Sequence, residues 1–382
     1  MEITYSFASA QGDVLLNKEM LERPFLLNPF QPHPFMLLED YFAAIKNFIL
    51  QKSGASIIRI LGRLWRRDLE ISDIERIIIR YEKYGTLYQI GSVEIFGGGD
   101  NIKLGTSMAL TSEAKAQMAL EYETIEKLNQ VLNQDINYIP DMYLKGVIGV
   151  ERGGINDTVV ISLFEWFEDY HEWHVKKDDD GGERIVIWDL QSGYRFATDK
   201  QAYGVIKHAS KILTLYYNVQ TYEQIFPWHN GAGDFVAKFE ENKADVRLIT
   251  VRGYGPLVLS DEREFIDPLK ALVLFFLSIT FKMRIDKDEG MGKPVWADSI
   301  TPLPVVEGLL EGLRVQESKG MCPPYSRDMV RHVLKGMELN EINTMLNSQL
   351  NSYRYIDPVD SEVIAEHLEQ HANEVFQALK EI

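Results

Sequence analysis

The sequence predicts an α+β protein in two lobes, a small antiparallel β lobe followed by a larger, mostly helical lobe. Three observations carry that prediction. From Ile77 onward, "RIIIRYEKYGTLYQIGSVEIFGGGDNIKLGTSMAL" is rich in β-branched and aromatic residues, with glycines where the chain must turn. From Asp199 onward, segment after segment carries apolar residues at helical spacing. At 382 residues the chain is long for one core and comfortable for two. The expected division is an N-terminal helical extension over 1–76, a β-rich lobe over 77–170 and a mainly helical lobe over 171–382.

In the first segment, "FMLLEDYFAAIKNFIL" has helical apolar spacing and "QKSG" closes it. The preceding "RPFLLNPFQPHPF" is broken by prolines and reads as an extended arm. The β lobe opens with a three-stranded meander. "YGT" makes one break and "GGGDN" (97–101) is a hairpin signal. Thr111 or Ser112 then caps a helix whose apolar face includes Met118, Leu120, Ile125, Leu128 and Leu132. Two further strands follow, "DMYLKGVIGVE" and "DTVVISLFEWF", joined by a Gly-Gly turn. "HVKKDDDGGER" is an exposed acidic loop. "DKQAYGVIKHASKILTLYYNV" is an amphipathic helix, and "FIDPLKALVLFFLSITFKMRI" is apolar all round, as a buried helix is. Several amphipathic helices fill 303–382.

A net charge of −17 argues against nucleic acid or an anionic membrane as the main partner, because both need local positive potential. The one local exception, Arg59, Arg63, Arg66 and Arg67, reads as the solvated face of a helix beside a buried Ile and Leu stripe. The single cysteine, Cys322, excludes an intrachain disulfide and lies beside two prolines with no activating partner in sequence. The N-terminus lacks a basic region followed by an apolar core, and the longest apolar run is about half of a bilayer span. The expectation is a cytoplasmic protein. No nucleotide-binding P-loop, dinucleotide fingerprint or serine elbow appears.

The stretch "PWHNGAGDFVAKFEENKADVRLITVRGY" (227–254) sets a histidine, small residues and an aspartate in one loop just before a strand. It is good turn chemistry, and loops of this kind also carry sites. Around it, the order of strands, helix, strands and helical half resembles the protein-kinase-like fold. Within that fold it is most similar to the aminoglycoside and choline phosphotransferase branch, over residues 77–350. The resemblance implies a turn over a nucleotide's phosphates at Gly85 and Thr86, whose backbone N–H groups cradle phosphate oxygens. It also implies a lysine, Lys103, that holds those oxygens and a glutamate, Glu121, that aims it, with Glu123 a competing partner. The family's catalytic loop has a histidine, an aspartate two residues on and an asparagine five residues after that. Here His229 is followed by Asn230 and Gly231, and the acid arrives at Asp234. Asp234 therefore matches either a displaced catalytic base or a metal ligand in the asparagine's place. The next strand should end in two apolar residues and a metal-binding aspartate, but reads Leu248, Ile249, Thr250; Asp245 sits too early.

ATP and magnesium are the cofactors this resemblance implies. The reaction would move the γ-phosphoryl group of ATP to a small hydroxylated acceptor, with His229 holding the loop. Thr250 points the other way, to a catalytically silent binding or scaffold protein on the same fold. An unrelated α+β protein is a third reading. "FEWFEDYHEWHV" (164–175) offers aromatic walls for a flat ring or a protein partner at the link between lobes. Its Glu165, Glu168, Asp169, His171, Glu172 and His174 are metal-ligand types, although His171 and His174 share a face only on a helix. Arg252 could meet an anion, and otherwise ends a strand; His208 reads as a packed helix residue.

Overall fold

The structure is a computed structural model that describes residues 1–28, 30–85, 87–131, 138–178, 180, 182–189, 193–229, 233–259, 267–287, 292–321 and 325–382. Cys322, Thr86 and Asn230 to Ala232 lie outside the described residues. The chain is α+β and forms two compact units. The first holds Met1–Glu126 and Pro140–Glu168; the second holds Lys127–Ile139, Asp169–Asp189 and Gly193–Ile382.

The first unit begins with β1 (Glu2–Phe7), β2 (Val14–Leu15), the short helix α1 (Lys18–Leu21), β3 (Pro24–Asn28) and β4 (Gln31–Leu37). Helices α2 (Leu38–Ile49) and α3 (Ala55–Trp65) follow. Next come β5 (Arg76–Tyr84), β6 (Gln89–Gly97), β7 (Asp100–Ala109), α4 (Ser112–Val131), β8 (Met142–Arg152) and β9 (Ile155–Glu165). Seven of these nine strands make one sheet in the order β2-β1-β5-β6-β7-β9-β8. The meander, the helix and the two later strands form where the sequence places them. Gly98 and Gly99, at φ +60° and +85°, turn β6 into β7 as the hairpin signal requires.

The N-terminal extension is a correction. It is not a separate helical prelude, because β1 lies parallel to β5 with Glu2 opposite Arg76 and Phe7 opposite Tyr81. The proline-broken arm is an antiparallel pair, β3 with β4. The signal was weak for a physical reason. A parallel pair across some seventy residues leaves no turn in the local sequence, and "EITYSF" is too short to declare its partner.

Strand alternation divides this sheet into two faces. On one face Ile77, Ile79, Val93, Ile95 and Leu104 pack in a single cluster with Phe42, Ile45, Phe48 and Ile49 of α2 and Ile57, Ile60 and Leu61 of α3. Gly91 is required there: a Cβ would stand 2.5 Å from the Tyr41 hydroxyl and 2.7 Å from the Arg80 carbonyl. The alternate residues, Arg80, Ser92, Glu94 and Lys103, belong to the other face.

The second unit begins with a three-stranded sheet, β10 (Glu172–Lys177), β11 (Glu183–Asp189) and β12 (Gly193–Phe196). Helix α5 (Asp199–Leu215) and β13 (Glu223–Ile225) lead to the hairpin β14 (Phe235–Glu240) and β15 (Lys243–Leu248). β16 (Tyr254–Pro256) pairs with β13. The buried helix α6 (Pro268–Lys282) and the pair β17 (Ile285–Lys287) and β18 (Pro294–Trp296) precede four helices: α7 (Pro302–Ser318), α8 (Arg327–Gly336), α9 (Leu339–Tyr353) and α10 (Pro358–Glu381). Among the described residues no helix is long and apolar enough to cross a membrane.

Candidate functional site

In the first unit the predicted lysine is present on β7, but with another partner. Lys103 Nζ lies 2.8 Å from Glu82 Oε1 and 4.1 Å from the centroid of the Trp166 ring. Glu121, on α4, is buried and accepts a hydrogen bond from the Tyr88 hydroxyl at 2.7 Å. Glu123 pairs with Lys145 at 3.6 Å. The reason is register. Glu82 comes from β5, across the intervening strand β6, at a bulge between Tyr81 and Lys83, where Ser92 of β6 also donates to it at 2.6 Å. The two ladders through β6, β5 with β6 and β6 with β7, fix that approach more tightly than sequence spacing from β7 to α4. Alongside runs a second pair, with Arg80 reaching Glu94 at 2.6 Å and Asp13 at 2.8 Å. The expected phosphate turn is closed on itself, since the Gly85 N–H donates to the Tyr88 carbonyl at 2.8 Å.

In the second unit Asp234 stands directly before β14. This carboxylate is fully buried, at 0% exposure. Its Oδ2 accepts the His229 backbone N–H at 2.7 Å and the Arg252 guanidinium Nη1. Oδ1 is buried and accepts no hydrogen bond among the described residues. Burial pushes the Asp234 pKa up; Arg252, the His229 N–H and Lys282 pull it back. His229 is pushed down to about 3, first by burial and then by Lys282, Arg252 and Lys287, so its ring is neutral at pH 7. The Ile249 N–H donates to the Asp234 carbonyl at 2.7 Å and the Thr250 hydroxyl to the Gly233 carbonyl at 3.4 Å, tying the loop to the end of β15.

Sequence reasoning missed the group that completes this cluster. Lys282, at the end of the apolar helix α6, is buried; its Nζ donates to the Tyr353 hydroxyl at 2.7 Å and lies 4.0 Å from Asp360. The rings of Phe226, Trp228 and Tyr353 surround it at 5.1 to 5.5 Å. Burial lowers its pKa to about 8, against the opposing pull of Asp360, Asp357 and Asp234. The available signal was the charged run after α6: Lys282, Arg284 and Asp286 stand at alternate positions and all three are buried. A charge inside an apolar stretch has to find a partner. Arg284 pairs with Glu374, and Asp286 accepts the Val175 N–H at 2.6 Å with His174 Nδ1 3.3 Å away.

Magnesium needs several hard oxygen ligands. Among the described residues no group of three or more His, Cys, Asp or Glu side chains could hold a metal ion. Asp234 Oδ2 is occupied by Arg252, and Thr250 supplies a neutral hydroxyl turned to a carbonyl. The described residues around Asp234 therefore do not fit a magnesium site. Among the described residues the aromatic segment 164–175 likewise gathers no ligand set: β9 ends at Glu165, β10 begins at Glu172, and His174 is buried against Asp286. Arg252, from the segment between β15 and β16, turns to Asp234, and His208 is a half-buried residue of α5 whose pKa is lowered by burial.

No family model matches the chain, and no curated protein matches it. A solved structure described as the crystal structure of a kinase domain is 11% identical to it, covering 73% of this chain and 91% of that one at a TM-score of 0.28. That likeness is distant, and the reading of the site does not rest on it.

Proposed function

We propose that the chain is a kinase-like protein that binds a nucleotide or another phosphate-bearing small molecule and whose phosphotransfer site is degenerate. One observation carries this reading. Asp234, the only acid in the loop from Phe226 to Asp234, is buried and held through the same oxygen by Arg252 and the His229 N–H. A carboxylate so engaged orders a loop; a catalytic base must reach the proton it takes. Lys103 is the residue to contact phosphate, and Glu82 takes the aiming role that Glu121 was expected to fill.

The test is a thermal-shift titration with ATP, with and without magnesium, alongside an assay for γ-phosphoryl transfer to small hydroxylated acceptors. ATP should raise the midpoint without metal, Lys103→Ala should remove the rise, and transfer should stay at background. The absence of any shift with ATP or ADP would sink nucleotide binding. A second reading, an active transferase, is favoured by Oδ1 of Asp234, which has no partner among the described residues, and by the burial that raises this carboxyl's pKa. On that reading γ-phosphoryl transfer to a small hydroxylated acceptor is measurable and Asp234→Asn abolishes it.

A further inference from the structure

Between Asp40 and Asp68 the chain carries six cations and no acid, although its net charge is −17. The structure places this stretch on α2 and α3 and shows which of the cations are already satisfied. Arg67 is: it donates to the Gly97 carbonyl at 2.7 Å and pairs with Asp100 at 3.2 Å. Lys52, Arg59, Arg63 and Arg66 are exposed. None of the four enters an ion pair among the described residues, although Arg63 lies over the Tyr143 ring at 5.4 Å. Arg59, Arg63 and Arg66 are spaced four and three residues apart, one stripe on α3 and its C-cap about 10 Å long. The opposite side of α3 is fixed in the core by Ile57, Ile60 and Leu61. The stripe is therefore rigidly mounted and has no apolar face left to insert into a lipid surface.

We propose that this stripe is a docking surface for a short acidic segment of a partner protein. Arginine forks match carboxylates in bidentate geometry, and three in a row read a run of acidic side chains. Length decides the class of partner. Exposed acids, Glu70, Asp73 and Glu75, follow directly after the stripe. A duplex or a bilayer reaches past about 10 Å of basic surface and meets that acidic surround within a Debye length of about 8 Å at physiological salt. A short acidic peptide fits inside the stripe and avoids it.

The probe is a fluorescein-labelled Glu-Asp-Glu tripeptide, about 10 Å long when extended, with binding read by anisotropy on the full chain at 50 and 300 mM NaCl. The peptide should bind, weaken at least about tenfold at the higher salt, and lose binding by at least about tenfold in Arg59→Glu/Arg63→Glu/Arg66→Glu. The milder Arg59→Gln/Arg63→Gln/Arg66→Gln variant should fall between, with an unchanged far-ultraviolet spectrum in both. Failure of the wild type to bind, or binding that the triple reversal leaves intact, overturns the proposal. Equal or tighter binding to phosphatidylserine vesicles or to a single-stranded oligonucleotide overturns the choice of partner.

Discussion

Arg252→Ala is the sharpest probe of the loop around Asp234. In the wild type the guanidinium meets Oδ2 of a carboxylate that is 1% exposed in its side chain, while Arg252 itself is 26% exposed. Truncating the arginine leaves the buried charge with the His229 N–H and the more distant field of Lys282. Breaking a buried pair from one side costs about 3 to 5 kcal/mol. The surviving N–H and the field of Lys282 place this case at the low end, about 3 kcal/mol. Asp234→Asn alone leaves a guanidinium that can turn to water, so its cost is smaller, about 1 to 2 kcal/mol. The double variant, Arg252→Ala/Asp234→Asn, removes the stranded charge and should recover about 2 kcal/mol of the first loss. Urea unfolding followed by tryptophan fluorescence measures all three, since Trp228 and Trp173 pack against Phe235 beside the loop.

The pH dependence gives a second reading of the same variant. Burial already holds the Asp234 pKa above its ordinary value, and losing Arg252 removes the largest opposing effect. A carboxyl whose folded pKa is raised destabilises the fold above that pKa, and the penalty lifts as pH falls through it. The gap between Arg252→Ala and wild type should therefore narrow as pH falls from 7. A loss under about 1 kcal/mol for Arg252→Ala at pH 7, with no recovery in the double variant, would refute the clamp.

Lys282 makes a prediction of opposite sense. Its folded pKa, about 8, lies below the ordinary lysine value, so the folded state carries a penalty at low pH that lifts as pH rises through about 8. Relative to Lys282→Met, the wild type should gain stability between pH 7 and pH 10. Gly308→Ala should destabilise by about 2 kcal/mol or more in urea, because its Cβ meets the Lys207 carbonyl, Ser210 Cβ at 2.8 Å and the Lys211 nitrogen at 3.0 Å where α7 packs on α5. Gly336→Ala, in α8 with nothing within 4 Å of the new methyl, should be neutral or stabilise by up to about 1 kcal/mol in the same experiment.

What the sequence determined by itself is the run of elements from β5 to β9 and the helical character of the second unit. Periods of two and of 3.6 residues, the turn at Gly98 and Gly99 and the unbroken apolar run of α6 are local properties, carried by residues adjacent in the sequence. Residues such as Lys103, His229 and Asp234 were legible as chemistry, but their partners were not. Glu82 rather than Glu121 beside Lys103, and Arg252 on Asp234, follow from strand register and from the segment after β15 meeting the residue before β14. Only the tertiary structure decided that β1 runs parallel beside β5, and that Lys282 ends an apolar helix with its ammonium held by Tyr353 and Asp360. The energy of a buried charge depends on groups distant in sequence that arrive only when the chain is packed, so no window of residues around Lys282 contains it.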